Sequence, residues 1–142
     1  IQNVDAISLM AVLPSTHQLA GRNYLTKHDL ARENLILACT PDSKIGEDRM
    51  IIESFRSAGL RPNIVDKIED AETILLMIHV NMGVSILPSY IPLPASNIRR
   101  IVAIPYEPGI RVNCAAVCLE GNENPALERM MLFLKERSEA GI

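Results

Sequence analysis

The stretch AETILLMIHVNMGVSILPSY, residues 71–90, decides how the rest of the chain is read. Asp70 is a good N-cap, and an apolar helical run follows it to about residue 80. Gly83 is expected to close that helix. Residues 84–87, VSIL, then read as a short buried strand ended by Pro88. Nothing in the stretch carries a catalytic group. A helix, a tight turn and a buried strand are scaffold, so the function has to be sought around them.

Working outward, residues 6–13, AISLMAVL, predict a buried strand ended by Pro14. Residues 15–33 form a polar connection with one helical turn, capped by Thr26 with Asp29 three residues on. NLILACT, residues 34–40, is a second apolar strand. Residues 45–58 predict a helix with Met50, Ile51, Phe55 and Ala58 on one face and Gly59 as its stop. RPNIVDKI, 61–68, is a third strand. Residues 97–106 and 110–120 predict two further strands separated by a turn at Glu107-Pro108-Gly109. Asn124 caps a last helix with Pro125 at its first position and Leu127, Met130, Met131 and Leu134 at helical spacing. Strands alternating with helices make the class α/β. Strands as apolar as NLILACT and VSIL predict a sheet covered on both faces.

Composition narrows the function. The 142 residues suffice for one domain with a real core. The net charge is -3, and no basic cluster exceeds the pair Arg99-Arg100. Such a chain lacks the footprint of a DNA-binding surface. Aromatics are 4% and tryptophan is absent, which argues against stacking on single-stranded nucleic acid. No apolar run reaches membrane-spanning length. Three cysteines, Cys39, Cys114 and Cys118, argue against a disulfide scaffold and are expected to be reduced core residues. Cys114 and Cys118 lie roughly 13 Å apart along a strand, too far to bridge.

No catalytic or metal motif occurs. GVSILPS lacks the second glycine of a nucleophile elbow. There is no phosphate loop, no dinucleotide fingerprint and no C-x-x-C. His17, His28 and His79 are scattered without ligand spacing and read as surface or packing residues. The acidic run Asp66, Glu69, Asp70 and Glu72 reads as a helix entry favoured by the dipole. Two places can bind something small, and the first is CTPDSKIG, residues 39–46, between a buried strand and a helix N-terminus. Ligands in open α/β sheets sit beyond the carboxyl ends of strands. Thr40 and Ser43 would add hydroxyl contacts. The alternative is an ordinary connection with Ser43 as N-cap. The next junction, IEDAE at 68–72, is too acidic to favour an anion.

The pattern AETILLMIHVNMGVSILP, 71–88, resembles the effector-domain signature of LysR-type transcriptional regulators. Other pieces fall in matching order: AVLPSTHQLAGRNYLTKHDLARENLIL, SAGLRPNIV and NPALERMMLFL. The resemblance covers residues 6–136, with Gln18 standing where the family usually has proline. It implies a three-layer lobe of a type II periplasmic-binding-protein-like effector domain, with a mixed sheet flanked by helices. Residues 6–13 and 110–119 would be crossing strands, 14–109 the second lobe, and 124–139 a helix belonging to the first lobe. It places effector contacts at Cys39, Thr40, Pro41, Asp42 and Ser43. A peroxide-sensing subset of the family uses a cysteine pair near this loop, and Cys39 has no second cysteine within the next seventy residues.

The implied function is metabolite sensing, with a carboxylate among the candidate effectors. DNA would be bound only through an N-terminal domain absent from this chain. The protein would be cytoplasmic and homo-oligomeric, not an enzyme, with no cofactor, metal or membrane partner. The alternatives are a periplasmic-type solute-binding lobe and, more weakly, an enzyme on the same fold. The sequence upstream of Ile1 would separate them. This chain alone is expected to show no sequence-specific retardation of DNA at about 100 mM salt. A specific shift would contradict the family resemblance.

Overall fold

The computed structural model describes residues 1–41, 46–91, 93 and 100–140, the last two by backbone alone. Its elements run β1 (Gln2–Pro14), α1 (Lys27–Leu30), β2 (Asn34–Ala38), α2 (Glu47–Ser57), β3 (Asn63–Ile68), α3 (Ala71–His79), β4 (Ser85–Pro88), β5 (Ile101–Ala116) and α4 (Pro125–Ala140). The class is α/β with mixed strand directions. β4, β1 and β5 form one sheet in that order, with β1 and β4 antiparallel, and β2 pairs with β3 in parallel. An isolated parallel bridge, Leu35 to Val84, connects the two sheets.

The chain divides into two compact units, residues 8–110 and residues 1–7 with 111–142. The larger unit holds the core. Ile74, Leu75 and Ile78 on α3 cluster with Val12, Ile36, Leu87 and Ile101 from the strands, all at most 3% exposed. Strand alternation puts Leu35 and Leu37 on the sheet face opposite Ile36. That face receives α2, whose Ile51 and Phe55 are buried. Met50 and Ala58, expected on the same helical face, are exposed: the apolar stripe of this short helix is only as wide as Ile51 and Phe55. In the smaller unit, Leu127, Met131 and Leu134 of α4 are half-buried and Met130 is exposed.

The caps explain where helices begin. Thr26 and Asp29 form the expected capping box on α1, and the resulting hydrogen bonds from Thr26 lower the Asp29 pKa. The Asp70 carboxylate accepts from Thr73 N at 2.7 Å and so starts α3. Asn124 accepts from Ala126 N at 3.0 Å at the start of α4. Gly59 ends α2 with φ 72.

Several expectations are corrected. α2 spans 47–57 and is capped by Gly46, whose side-chain-free position makes no cap hydrogen bond; Ser43 lies outside the described residues. The strands predicted at 97–106 and 110–120 are one strand, β5, bent at residues 107–109 instead of turning back. Residues 97–99 lie outside the described residues. Cys114 and Cys118 are exposed and Cys39 is half-buried, all three free, so the cysteines are not core residues. Both exposed cysteines belong to the smaller unit, which contributes nothing to the buried core described above.

Gly83 is the instructive correction. The left-handed residue after α3 is Asn81, with φ 63, and Gly83 does not close the helix. Glycine is required at 83 for space. A Cβ there would stand 2.5 Å from the Asn34 carbonyl oxygen, the same oxygen that accepts from Val84 N at 2.8 Å. The obstacle is backbone, which cannot rotate away. Gly83→Ala is therefore expected to destabilise the fold by about 1–3 kcal/mol, measured as a lower urea midpoint with an unchanged slope.

Candidate functional site

β2 and β3 run parallel, so their carboxyl ends lie side by side. Leu37 pairs with Lys67 and Ala38 with Ile68. The ladder extends one residue further, with Cys39 N donating to Ile68 O at 3.0 Å. Cys39 is thus fixed by its backbone and half-buried, while Thr40 and Pro41 are exposed beyond the strand end. Asp42 and Ser43, the other two expected contacts, lie outside the described residues.

Past the loop, Gly46 opens α2. It is buried, and a Cβ on it would meet Asp48 Oδ1 at 2.5 Å, with Thr40 N 4.0 Å away. Unlike the backbone carbonyl at Gly83, that neighbour is the end of a side chain, and glycine here leaves room for the Asp48 carboxylate to fold back over the first turn. Asp48 is 7% exposed. Its Oδ2 accepts from Lys67 Nζ at 2.7 Å. That hydrogen bond lowers the Asp48 pKa against the opposing effect of burial. Lys67 keeps 45% of its side chain exposed. One ammonium therefore stands at the strand ends, partly neutralised from beneath and open on its other side.

Chemically the arrangement offers the Thr40 hydroxyl, the positive end of α2 and the Lys67 ammonium within one corner of the larger unit. Glu47 and Asp48 in the first turn of α2 weaken its pull on an anion, and Lys67 restores it. The second junction is closed by comparison. Asp70 occupies the N-terminus of α3, taking hydrogen bonds from Thr73 N and from Thr73 Oγ1 at 2.6 Å. These bonds lower its pKa and fill the position an outside anion would need.

Sequence reasoning missed Asp48 and Lys67. They are 19 residues apart, and no local motif joins them. The available signal was alternation: Lys67 pairs in register with buried Leu37, so its stem starts on the side of the sheet that Leu37 occupies while 45% of the side chain stays exposed.

Residues 2–139 match the family model of the LysR substrate binding domain. An uncharacterized HTH-type transcriptional regulator of Bacillus subtilis (strain 168), YybE, is 34% identical over 94 residues, 66% of this chain and 31% of that protein. Among solved structures, the LysR-family regulator HinK of Pseudomonas aeruginosa superposes with a TM-score of 0.76 at 21% identity, over 97% of this chain and 47% of that one. The effector binding domain of QuiR in complex with shikimate superposes at 0.78 and 20% identity, over 98% and 65%. Full-length CbnR in complex with its target DNA gives 0.79 at 20%, over 96% and 46%. The chain thus spans less than two thirds of the length of each of these relatives.

The Asp48–Lys67 pair carries a pH signature. Asp48 titrates below its ordinary 3.8 when folded. The pair's contribution is fully present above that ordinary value and is lost as pH falls through the lowered one. Lys67→Met should cost about 1 kcal/mol at neutral pH, with the difference from the parent shrinking in acid titrations below 3.8. A difference constant down to the acid limit of folding would mean that Lys67 acts through packing alone.

Proposed function

This chain belongs to the LysR substrate-binding domain family, and we propose that it senses a small organic metabolite for a DNA-binding transcriptional regulator. The observation that carries this reading is the corner formed by the ends of β2 and β3. A helix opens there at Gly46 with no side-chain cap, beside the half-exposed Lys67 ammonium. In α/β folds that is where small polar ligands settle. Cys39, Thr40, Pro41, Asp42 and Ser43 are the proposed contacts, and Lys67 is the charge that favours a carboxylate. The shikimate complex of QuiR supports a small organic effector for this chain.

DNA would be bound through a separate N-terminal domain, as the HTH-type description of the Bacillus relative supports. The protein would act as a cytoplasmic homo-oligomer without catalysis, cofactor or metal. No helix among the described residues is long and apolar enough to cross a membrane. Effector binding would work by differential affinity for two arrangements of the regulator.

A thermal-shift screen of small carboxylates on the full-length regulator tests the reading. A true effector at about 100 times its Kd stabilises the folded state by about 2.7 kcal/mol. Thr40→Ala should weaken that effector about 5- to 10-fold, the worth of one hydrogen bond, while leaving the melting temperature of the free protein unchanged. An effector that binds Thr40→Ala and Lys67→Met as tightly as the parent would place the site elsewhere.

A further inference from the structure

β5 bends at the point where it leaves the larger unit. Glu107 has φ 44 and Gly109 has φ 99, with Pro108 between them. Two left-handed residues and one without an N–H distort a strand, and β5 continues through them to Ala116. Gly109 tolerates its conformation at no steric cost because it has no Cβ. Glu107 does not share that freedom, because L side chains rarely adopt positive φ. Such a residue persists where its surroundings over-determine it.

The surroundings here are specific. Leu25 N donates to Pro105 O at 2.9 Å, and Glu107 N donates to Leu25 O at 2.8 Å. The Glu107 carboxylate accepts from the backbone N–H of Lys27 at 2.7 Å. Lys27 is the first residue of α1, and its N–H has no partner inside the helix. The Lys27 ammonium stands 3.6 Å from the same oxygen, and the two side chains are 18% and 19% exposed. Thr26 already caps α1 through Asp29 N, so Glu107 is a second cap brought from eighty residues away. The boundary between the two units falls three residues later, between Ile110 and Arg111.

A cap alone would not need a left-handed glutamate, and a bulge alone would take glycine at both positions. The combination ties a strained bend to a helix immediately before the chain passes into the other unit. We propose that Glu107 is a latch: its carboxylate, held by the α1 N-terminus and Lys27, fixes the bend at residues 107–109, and its release frees this segment of β5. Its regulatory meaning rests on the reading of the domain as a sensor that moves. Glu107 is a positioning residue in this account and touches no effector.

Hydrogen exchange on the chain reads the latch without any effector. Glu107→Ala is expected to raise amide exchange at residues 109–112 about 10-fold, with Ile36 and Ile78 unchanged. Lys27→Met, which keeps the backbone donor, should raise it about 3-fold. Glu107→Gly separates latch from strain. It relieves the positive φ, so global stability holds, yet exchange at 109–112 still rises. Unchanged exchange at 109–112 in Glu107→Gly and Lys27→Met overturns the proposal, whether or not Glu107→Ala folds. A rise shared equally by Ile36 and Ile78 also overturns it, since that is plain loss of stability. Neither result bears on the thermal-shift screen, so the latch and the effector reading fail separately.

Discussion

Two backbone hydrogen bonds between β2 and the start of β4 hold the larger unit together. Ile36 N donates to Val84 O at 2.9 Å, and Val84 N donates to Asn34 O at 2.8 Å. Without them β2 and β3 would be a two-stranded sheet, marginal on its own. With them, Ile36 is brought beneath α3 beside Val12 and Leu87, and one core forms from both sheets. The close approach is available only because residue 83 has no side chain. The same contact sets where the carboxyl ends of β2 and β3 emerge, and so where Thr40 and Lys67 stand.

Most of the fold was legible because it is written in local chemistry. The capping residues Thr26, Asp70 and Asn124 act within three residues of themselves, and the apolar runs of β2 and β4 are read without knowing their partners. The errors share a different cause. Gly83 reads as a helix stop because glycine after an apolar helix is the commonest local reason for glycine. Its actual reason, the Asn34 carbonyl, is 49 residues distant in sequence and invisible there. Glu107-Pro108-Gly109 reads as a turn for the same reason. Whether such a tripeptide reverses a strand or only bends it depends on what its ends pair with, here Leu25.

The candidate site divides along the same line. The loop from Cys39 to Ser43 was legible as a strand end before a helix, a purely sequential relation. The ion pair beneath it was not, because Asp48 looks like an ordinary first-turn acid and Lys67 like an ordinary strand lysine. Only the parallel pairing of β2 with β3 and the seating of α2 on the Leu35–Leu37 face put them 2.7 Å apart. The pair then changes the electrostatics of the corner. Asp48 satisfies the helix dipole from inside, and what remains for an outside ligand is the exposed half of Lys67. A carboxylate would have to share that ammonium with Asp48, which favours ligands that also bring hydroxyls or carbonyls for Thr40 and the loop amides.

Burial is divided unequally between the two units, and this bears on how such a domain can switch. The buried apolar residues run from Leu9 to Tyr106, all inside the larger unit. In the smaller one Val117, Leu119, Leu132 and Phe133 are more than half exposed. Local opening is cheapest where buried apolar contacts are fewest. A strand transmits little if it bends freely at the boundary and moves nothing if it is immobile there. Glu107 lies between these extremes, since its hold depends on one backbone donor and one ammonium, both accessible to small shifts of α1. Of the two strands, β5 carries two left-handed residues in its last stretch before the boundary, and β1 carries none. The positive-φ backbone near the boundary is thus confined to β5.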